Sequence, residues 1–159
     1  MADSSQVYVD EFEETEEEFE DLEPTRKYLT FNSDGLQYAL DADYVHEIIM
    51  TNNITRVPRI PDYIAGIINL RGQIIPIMDI RLRMGRSKTE FTEETCVIVS
   101  IIGDVQIGIL VDNVYKMIDI KESQISTPPL NRNQDLVNGI VRIDDEVILL
   151  LSAEELIRK

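Results

Sequence analysis

Four compact turn signals, each set between short runs of Ile, Val and Leu, leave this chain few choices other than small antiparallel strand pairs. Residues 28–31 and 36–40 flank Asn32-Ser33-Asp34-Gly35, where Asn, Asp and Gly accept the left-handed backbone of a tight reversal. Residues 67–70 and 74–78 flank Arg71-Gly72-Gln73, residues 96–102 and 105–111 flank Gly103-Asp104, and residues 140–143 face 147–151 across Asp144-Asp145. Residues 114–120 add another strand. Branched aliphatics in runs of five to seven at this spacing read as barrels or a sandwich. Pro76 cannot donate to a ladder, so its strand is expected on an edge or at a bulge.

Helix is scarce. Asp43 is expected to cap a short turn with Val45, Ile48 and Ile49 at i, i+3 and i+4. Pro61 is expected to open a single turn that Gly66 closes. Ser152-Ala153-Glu154-Glu155 is a capping-box pattern that starts a terminal helix with Leu156 and Ile157 on its apolar side. There is no solenoid-type repeat.

Charge divides the chain. The net charge is −15, but residues 1–24 hold eleven of the 30 acids and no Lys or Arg, so the remaining 19 acids meet all 15 bases. Like charges at that density repel, and only Phe12 and Phe19 offer much apolar surface, so residues 1–24 read as a disordered acidic tail. Residues 25–159 read as the folded domain. Nucleic acid is disfavoured, because polyanion binding needs a clustered cationic surface. The basic run Arg81, Arg83, Arg86 and Lys88 reads as a solvated link, with a phosphate or acidic-peptide site as the alternative. With one Cys no intrachain disulfide forms, no apolar run reaches the 18–20 residues of a membrane span, and no signal pattern opens the chain. A cytoplasmic protein is expected.

The chemical inventory is thin. Cys96 opens an apolar strand, where burial makes a thiol inert, and His46 is the only imidazole. Two soft ligands fifty residues apart do not make a zinc site, and no Asp-x-Asp-x-Asp-Gly loop is present for calcium. Asp41 with Asp43, and Asp144 with Asp145, are the conceivable carboxylate pairs, yet both placements suit turn-forming Asp. No enzyme activity, metal or cofactor is expected.

Residues 63–81, Tyr-Ile-Ala-Gly-Ile-Ile-Asn-Leu-Arg-Gly-Gln-Ile-Ile-Pro-Ile-Met-Asp-Ile-Arg, closely resemble the signature of the CheW family of bacterial chemotaxis adaptors. Tyr38-Ala39-Leu40-Asp41 with Val45-His46-Glu47-Ile48, the run Gln106 to Val114, the segment Ile120 to Ile125 with Pro128-Pro129, and the closing Val147 to Leu151 resemble it too, in order, over residues 25–159. The resemblance implies an all-β fold of two adjoining five-stranded β-barrels with short helical turns and a C-terminal helix. It implies a non-catalytic adaptor, monomeric in isolation, that bridges the cytoplasmic tips of chemoreceptors to the regulatory domain of the histidine kinase CheA in membrane-associated arrays. Carried over by position, Arg71 matches the family's functional arginine, and Val45, Glu47, Gly66, Asn69, Leu70, Gly72 and Gly108 are further contact candidates. The acidic tail exceeds what the family needs, and opposite charge suggests that it folds back onto Arg81 to Lys88. A domain of a larger signalling protein is a rival, disfavoured by the end of the chain at Lys159. A β-barrel hydrolase and an acidic nucleic-acid mimic are rivals from other classes.

Overall fold

The computed structural model of the chain describes residues 23–50, 53–128 and 135–158. The tail residues up to Leu22, with Phe12 and Phe19, and also Pro129 and Lys159, lie outside them. The strands are β1 (Thr25–Ser33), β2 (Leu36–Asp41), β3 (Val45–Ile49), β4 (Ile64–Leu70), β5 (Gln73–Asp79), β6 (Cys96–Ile102), β7 (Val105–Val111), β8 (Asn113–Lys121), β9 (Val137–Ile143) and β10 (Glu146–Leu151). Helices α1 (Ile80–Arg83) and α2 (Ala153–Ile157) follow β5 and β10, and two 3-10 turns occupy Ala42–Tyr44 and Glu122–Gln124.

The strands form two five-stranded sheets, ordered β8-β1-β2-β10-β9 and β3-β6-β7-β5-β4. Each sheet curls until one bridge joins its edges. Past the end of β8, Ser126 exchanges backbone hydrogen bonds of 2.8 and 2.9 Å with Ile140 on β9. Past the end of β3, Thr55 does the same with Ile67 on β4, at 2.9 and 2.8 Å. The hairpin turns take the expected backbone: Asp34 and Gly35, Arg71 and Gly72, and Asp144 and Asp145 are left-handed in pairs, as two-residue hairpin loops require.

Alternation along the strands produces three apolar clusters rather than two. Ala39, Ile120, Val141, Ile148 and Leu150 fill the inside of the first sheet. Ile68, Ile75, Ile77, Val97, Val99 and Leu110 fill the second. The largest cluster lies where β1 and β2 face β6 and β7, and includes Leu29, Phe31, Tyr38, Leu40, Cys96, Ile98, Ile109 and Val111. Both sheets therefore share one core, so neither buries its apolar faces without the other.

Several sequence expectations are corrected. Residues 45–49 form β3, not a helical turn; their aliphatics share no single face, since Val45 packs against the largest cluster, Ile49 against the inner cluster of the second sheet, and Ile48 is exposed. The neighbouring 3-10 turn is capped by Asp41, which accepts from the Asp43 amide at 2.9 Å. Pro61 accepts one turn bond from the Ile64 amide, and Gly66 is already inside β4. Pro76 lies on an interior strand by order. Ile67 turns both of its backbone groups to Thr55, so Pro76 opposite it faces away from β4, toward β7, where the ladder starts only at Ile77. Its missing donor breaks no rung.

Three of the four residues of the basic run are not a solvated link, whereas Lys88 is exposed and makes no ion pair among the described residues. Arg81 holds Asp112 through two bonds of 3.2 and 2.6 Å, and Asp34 accepts from Arg86 at 2.7 Å. Asp34 tips the β1–β2 hairpin and Asp112 joins β7 to β8, so these arginines stitch the two sheets together. Arg83 donates to the carbonyls of Glu155 (3.0 Å) and Arg158 (3.3 Å) at the end of α2 and lies 4.9 Å from the Tyr63 ring centre. A cation at a helix C-terminus satisfies carbonyls the helix itself leaves open.

Candidate protein-docking site

The β4–β5 hairpin places Arg71 at its tip, with φ 50°, followed by Gly72 at φ 85°. Turns of this kind favour Asn, Asp and Gly, because a Cβ in the left-handed region comes too close to the following carbonyl and costs about 1–2 kcal/mol. Asn69 closes the turn, its Oδ1 accepting from the Gly72 amide at 3.0 Å, while Leu70 packs against the inner cluster of the second sheet. Asn-Leu-Arg-Gly thus reads as a clamp, an anchor, a presented charge and a left-handed pivot.

Glu47 lies on β3 in register with Val99, one residue past the bulge, and its carboxylate is ion-paired with the Arg71 guanidinium. The arginine side chain stays 67% exposed and the glutamate 28%. Edge strand β3 and the β4–β5 tip are thereby joined across the open end of the second sheet. Val45, at the start of β3, packs against the core shared by both sheets.

Three exposed aliphatics frame this end. Ile74 is 60% exposed, Ile101 42% and Val105 41%. Carrying the β5–β7 register back three residues from Ile77 and Gly108 sets Ile74 beside Val105 on one face. Sequence reasoning missed these residues. A signal was present: residues 74–78 are apolar at every position, and with Ile75 and Ile77 in the inner cluster and Met78 in the shared core, Ile74 at the start of the strand is left outside both.

Two candidate glycines serve the fold instead of the surface. A Cβ on Gly66 would collide with the Thr55 carbonyl that closes the sheet. A Cβ on Gly108 would stand 2.5 and 2.6 Å from the side chains of Ile77 and Val97 inside the cluster. Neither offers atoms to a partner, although both fix the strands that carry Arg71 and Glu47.

Asp41 accepts from Arg26 at 2.9 Å besides capping its turn, and Asp144 and Asp145 are the exposed tip of the β9–β10 hairpin. Cys96 is buried at one end of β6, and burial pushes its thiol up. His46 lies toward the other end of that strand, near Ser100. Among the described residues no three His, Cys, Asp or Glu side chains gather as metal ligands, and no helix is long and apolar enough to cross a membrane.

A family model for the CheW-like domain matches residues 27–159. The chain belongs to this family. It is 30% identical over 142 residues to the chemotaxis protein CheW of Bacillus subtilis, covering 87% of this chain and 91% of that one. It is 32% identical over 132 residues to CheW of Thermotoga maritima, covering 82% and 87%. The crystal structure of the scaffolding protein TtCheW from Thermoanaerobacter tengcongensis superposes with a TM-score of 0.79 at 33% identity, covering 86% of this chain and 94% of that one. The expected family and all-β fold are therefore found, with chemotaxis scaffolds as its relatives.

Proposed function

We propose that this protein is a non-catalytic adaptor that couples the cytoplasmic tips of chemoreceptors to the histidine kinase CheA. Membership of the CheW-like family supports the reading, and one observation of this chain carries it: Arg71 is held in a left-handed turn by Asn69, paired with Glu47 and bordered by exposed Ile74, Ile101 and Val105. A forked, permanently charged group beside apolar surface is the composition of an interface hot spot. Val45, Leu70 and Gly72 shape that surface, Gly66 and Gly108 support it from within, and binding proceeds without turnover, metal or cofactor. The protein works in the cytoplasm as a monomer and joins membrane-associated arrays, where modest single contacts add up through avidity.

Residues 25–159 constitute the adaptor domain, and the acidic residues before them are an appended tail. Arg81, Arg83 and Arg86 are engaged within the domain, so of the basic run only Lys88 is left for that tail. The test is a titration of the purified protein against the regulatory domain of its own organism's CheA, with and without residues 1–22. Saturable one-to-one binding by both forms is expected; silence at high micromolar concentration would remove the adaptor reading.

A further inference from the structure

At the end of the second sheet opposite Arg71, a cavity of about 450 Å³ opens beside the ends of β5 and β7 and the start of β4. Small-molecule sites occupy roughly 300–1,000 Å³. Its walls are apolar: Ile54, Ala65, Leu82, Phe91 and Leu110. At its floor the Asp79 carboxylate accepts from the Thr89 amide at 2.8 Å and the Thr89 hydroxyl at 2.7 Å, and also caps α1. The floor's polar groups are thus satisfied from within. The same two bonds fasten the segment that carries Lys88, Glu90 and Phe91, so the wall is in place before any ligand arrives.

Four charged side chains line the mouth, Arg56 and Lys88 of one sign and Asp62 and Glu90 of the other. All four are exposed, and among the described residues none makes an ion pair or a side-chain hydrogen bond. The signs select the ligand. A simple acid would meet Asp62 and Glu90, and a simple amine would meet Arg56 and Lys88. A neutral apolar body would crowd four hydrated charges and gain nothing from them. A molecule with one carboxylate, one ammonium and a large apolar group uses every wall. We propose that this cavity binds a free α-amino acid with a bulky apolar side chain, the side chain between Ile54, Phe91 and Leu110, the carboxylate toward Arg56 and Lys88 and the ammonium toward Asp62 and Glu90.

The test is a titration of the isotope-labelled full chain with L-phenylalanine, followed by the methyl signals of Ile54, Ala65 and Leu110. Saturable shifts confined to the cavity are expected in the millimolar range. 3-Phenylpropionate and phenethylamine, each lacking one charge, are expected to bind about tenfold more weakly, the loss of one charge-assisted contact. The double variant Arg56→Gln, Lys88→Gln is expected to weaken phenylalanine by a similar factor while its remaining spectrum is unchanged. Absence of saturable shifts would overturn the proposal. So would equal binding of N-acetyl-phenylalanine amide, which would mark an ordinary apolar peptide pocket, or unaltered binding by the double variant.

Discussion

The two sheets can be laid on one another strand for strand. β8-β1-β2-β10-β9 falls on β3-β6-β7-β5-β4, with β2 parallel to β10 where β7 is parallel to β5. The ladders agree in register: Leu150 lies against Ala39 as Ile77 lies against Gly108. Gly139 stands where Gly66 stands, and a Cβ on either would run into an isoleucine, Ile125 or Ile54. Even the bulge recurs, near Leu29 in the first sheet and near Glu47 in the second. What differs is charge. The register that places Glu47 and Arg71 together in the second sheet places Lys116 and Asp144 at the corresponding points of the first, with the signs reversed. Those two are not joined among the described residues; the Lys116 ammonium lies 5.1 Å from the Tyr115 ring centre instead. Shared features are what closing a five-stranded sheet requires. The unshared ones, a charged bridge across the open end and its apolar surround, are the features on which the proposed docking role rests.

The largest expected effect tests the shared part. Gly66→Ala drives its Cβ into backbone, at φ 154°, whereas Gly139→Ala meets side-chain carbons only, the Ile125 Cγ2 at 2.7 Å and the Leu150 Cδ1 at 3.2 Å. Urea denaturation is expected to show a loss of more than about 3 kcal/mol for the first and about 1–3 kcal/mol for the second, the range of ordinary overpacking. Equal losses would mean that the two closures are equivalent and the Thr55 carbonyl is not special.

The next tests the unshared part. Arg71→Gly relieves a left-handed residue, so the thermal midpoint is expected to hold or rise slightly, while binding to the CheA regulatory domain weakens by about 1–3 kcal/mol. Asp144→Gly, at the matching tip, is expected to leave that binding within about 0.5 kcal/mol. A binding loss of similar size from both tips would erase the distinction between the sheets.

The smallest effect concerns the other pair of tips. Asp34 on the β1–β2 turn is held by Arg86 and Arg81, whereas Asp104 at the matching β6–β7 turn has no ion pair among the described residues. The hydrogen bond from Arg86, more than the nearby charges, holds the Asp34 carboxyl below its ordinary value. A depressed folded pKa gives stability that is present above the unfolded value near 4 and is lost as pH falls through the folded one. The urea midpoints of the wild type and Asp34→Asn are therefore expected to differ at pH 7 and to converge as pH falls through the folded pKa. Asp104→Asn, which breaks no ion pair among the described residues, is expected to leave the urea midpoint at pH 7 unchanged, and a gap for Asp34→Asn that stays constant with pH would refute the ion-pair account.

Legibility in the sequence followed locality. The turns at Asp34-Gly35, Arg71-Gly72 and Asp144-Asp145 were readable because left-handed backbone restricts residue type within two positions. The terminal helix was readable from Ser152, whose hydroxyl accepts from the Glu155 amide. β3 was misread because Val45, Ile48 and Ile49 stand at helix spacing without sharing a face: two of them pack into different clusters and the third is exposed. Helix α1 was missed because its cap, Asp79, ends what looks like an unbroken strand, and its satisfaction by Thr89 lies ten residues away. The basic run was misread because Asp112, Asp34 and the α2 carbonyls come from remote segments. At the candidate site, Arg71 was readable from its motif. Its partnership with Glu47 and the exposure of Ile74, Ile101 and Val105 depend on how the sheet curls, which no window of residues records.

The matching of the sheets hides a difference in chain order. All five strands of the second sheet are contiguous, from β3 to β7, and they interrupt the first, whose β1 and β2 precede them and whose β8 to β10 follow. On the ribosome the second sheet can close soon after its last strand emerges. The β1–β2 hairpin must wait with both outer edges open until Lys121 arrives to pair with Thr25 and Leu150 to pair with Ala39. Pairings so distant in sequence are slow to form, and unpaired edges invite other chains. Synthesis therefore passes through an interval in which one sheet has all its strands but lacks its packing partner while the other half is an exposed template, and the yield of native protein depends on how quickly that interval ends.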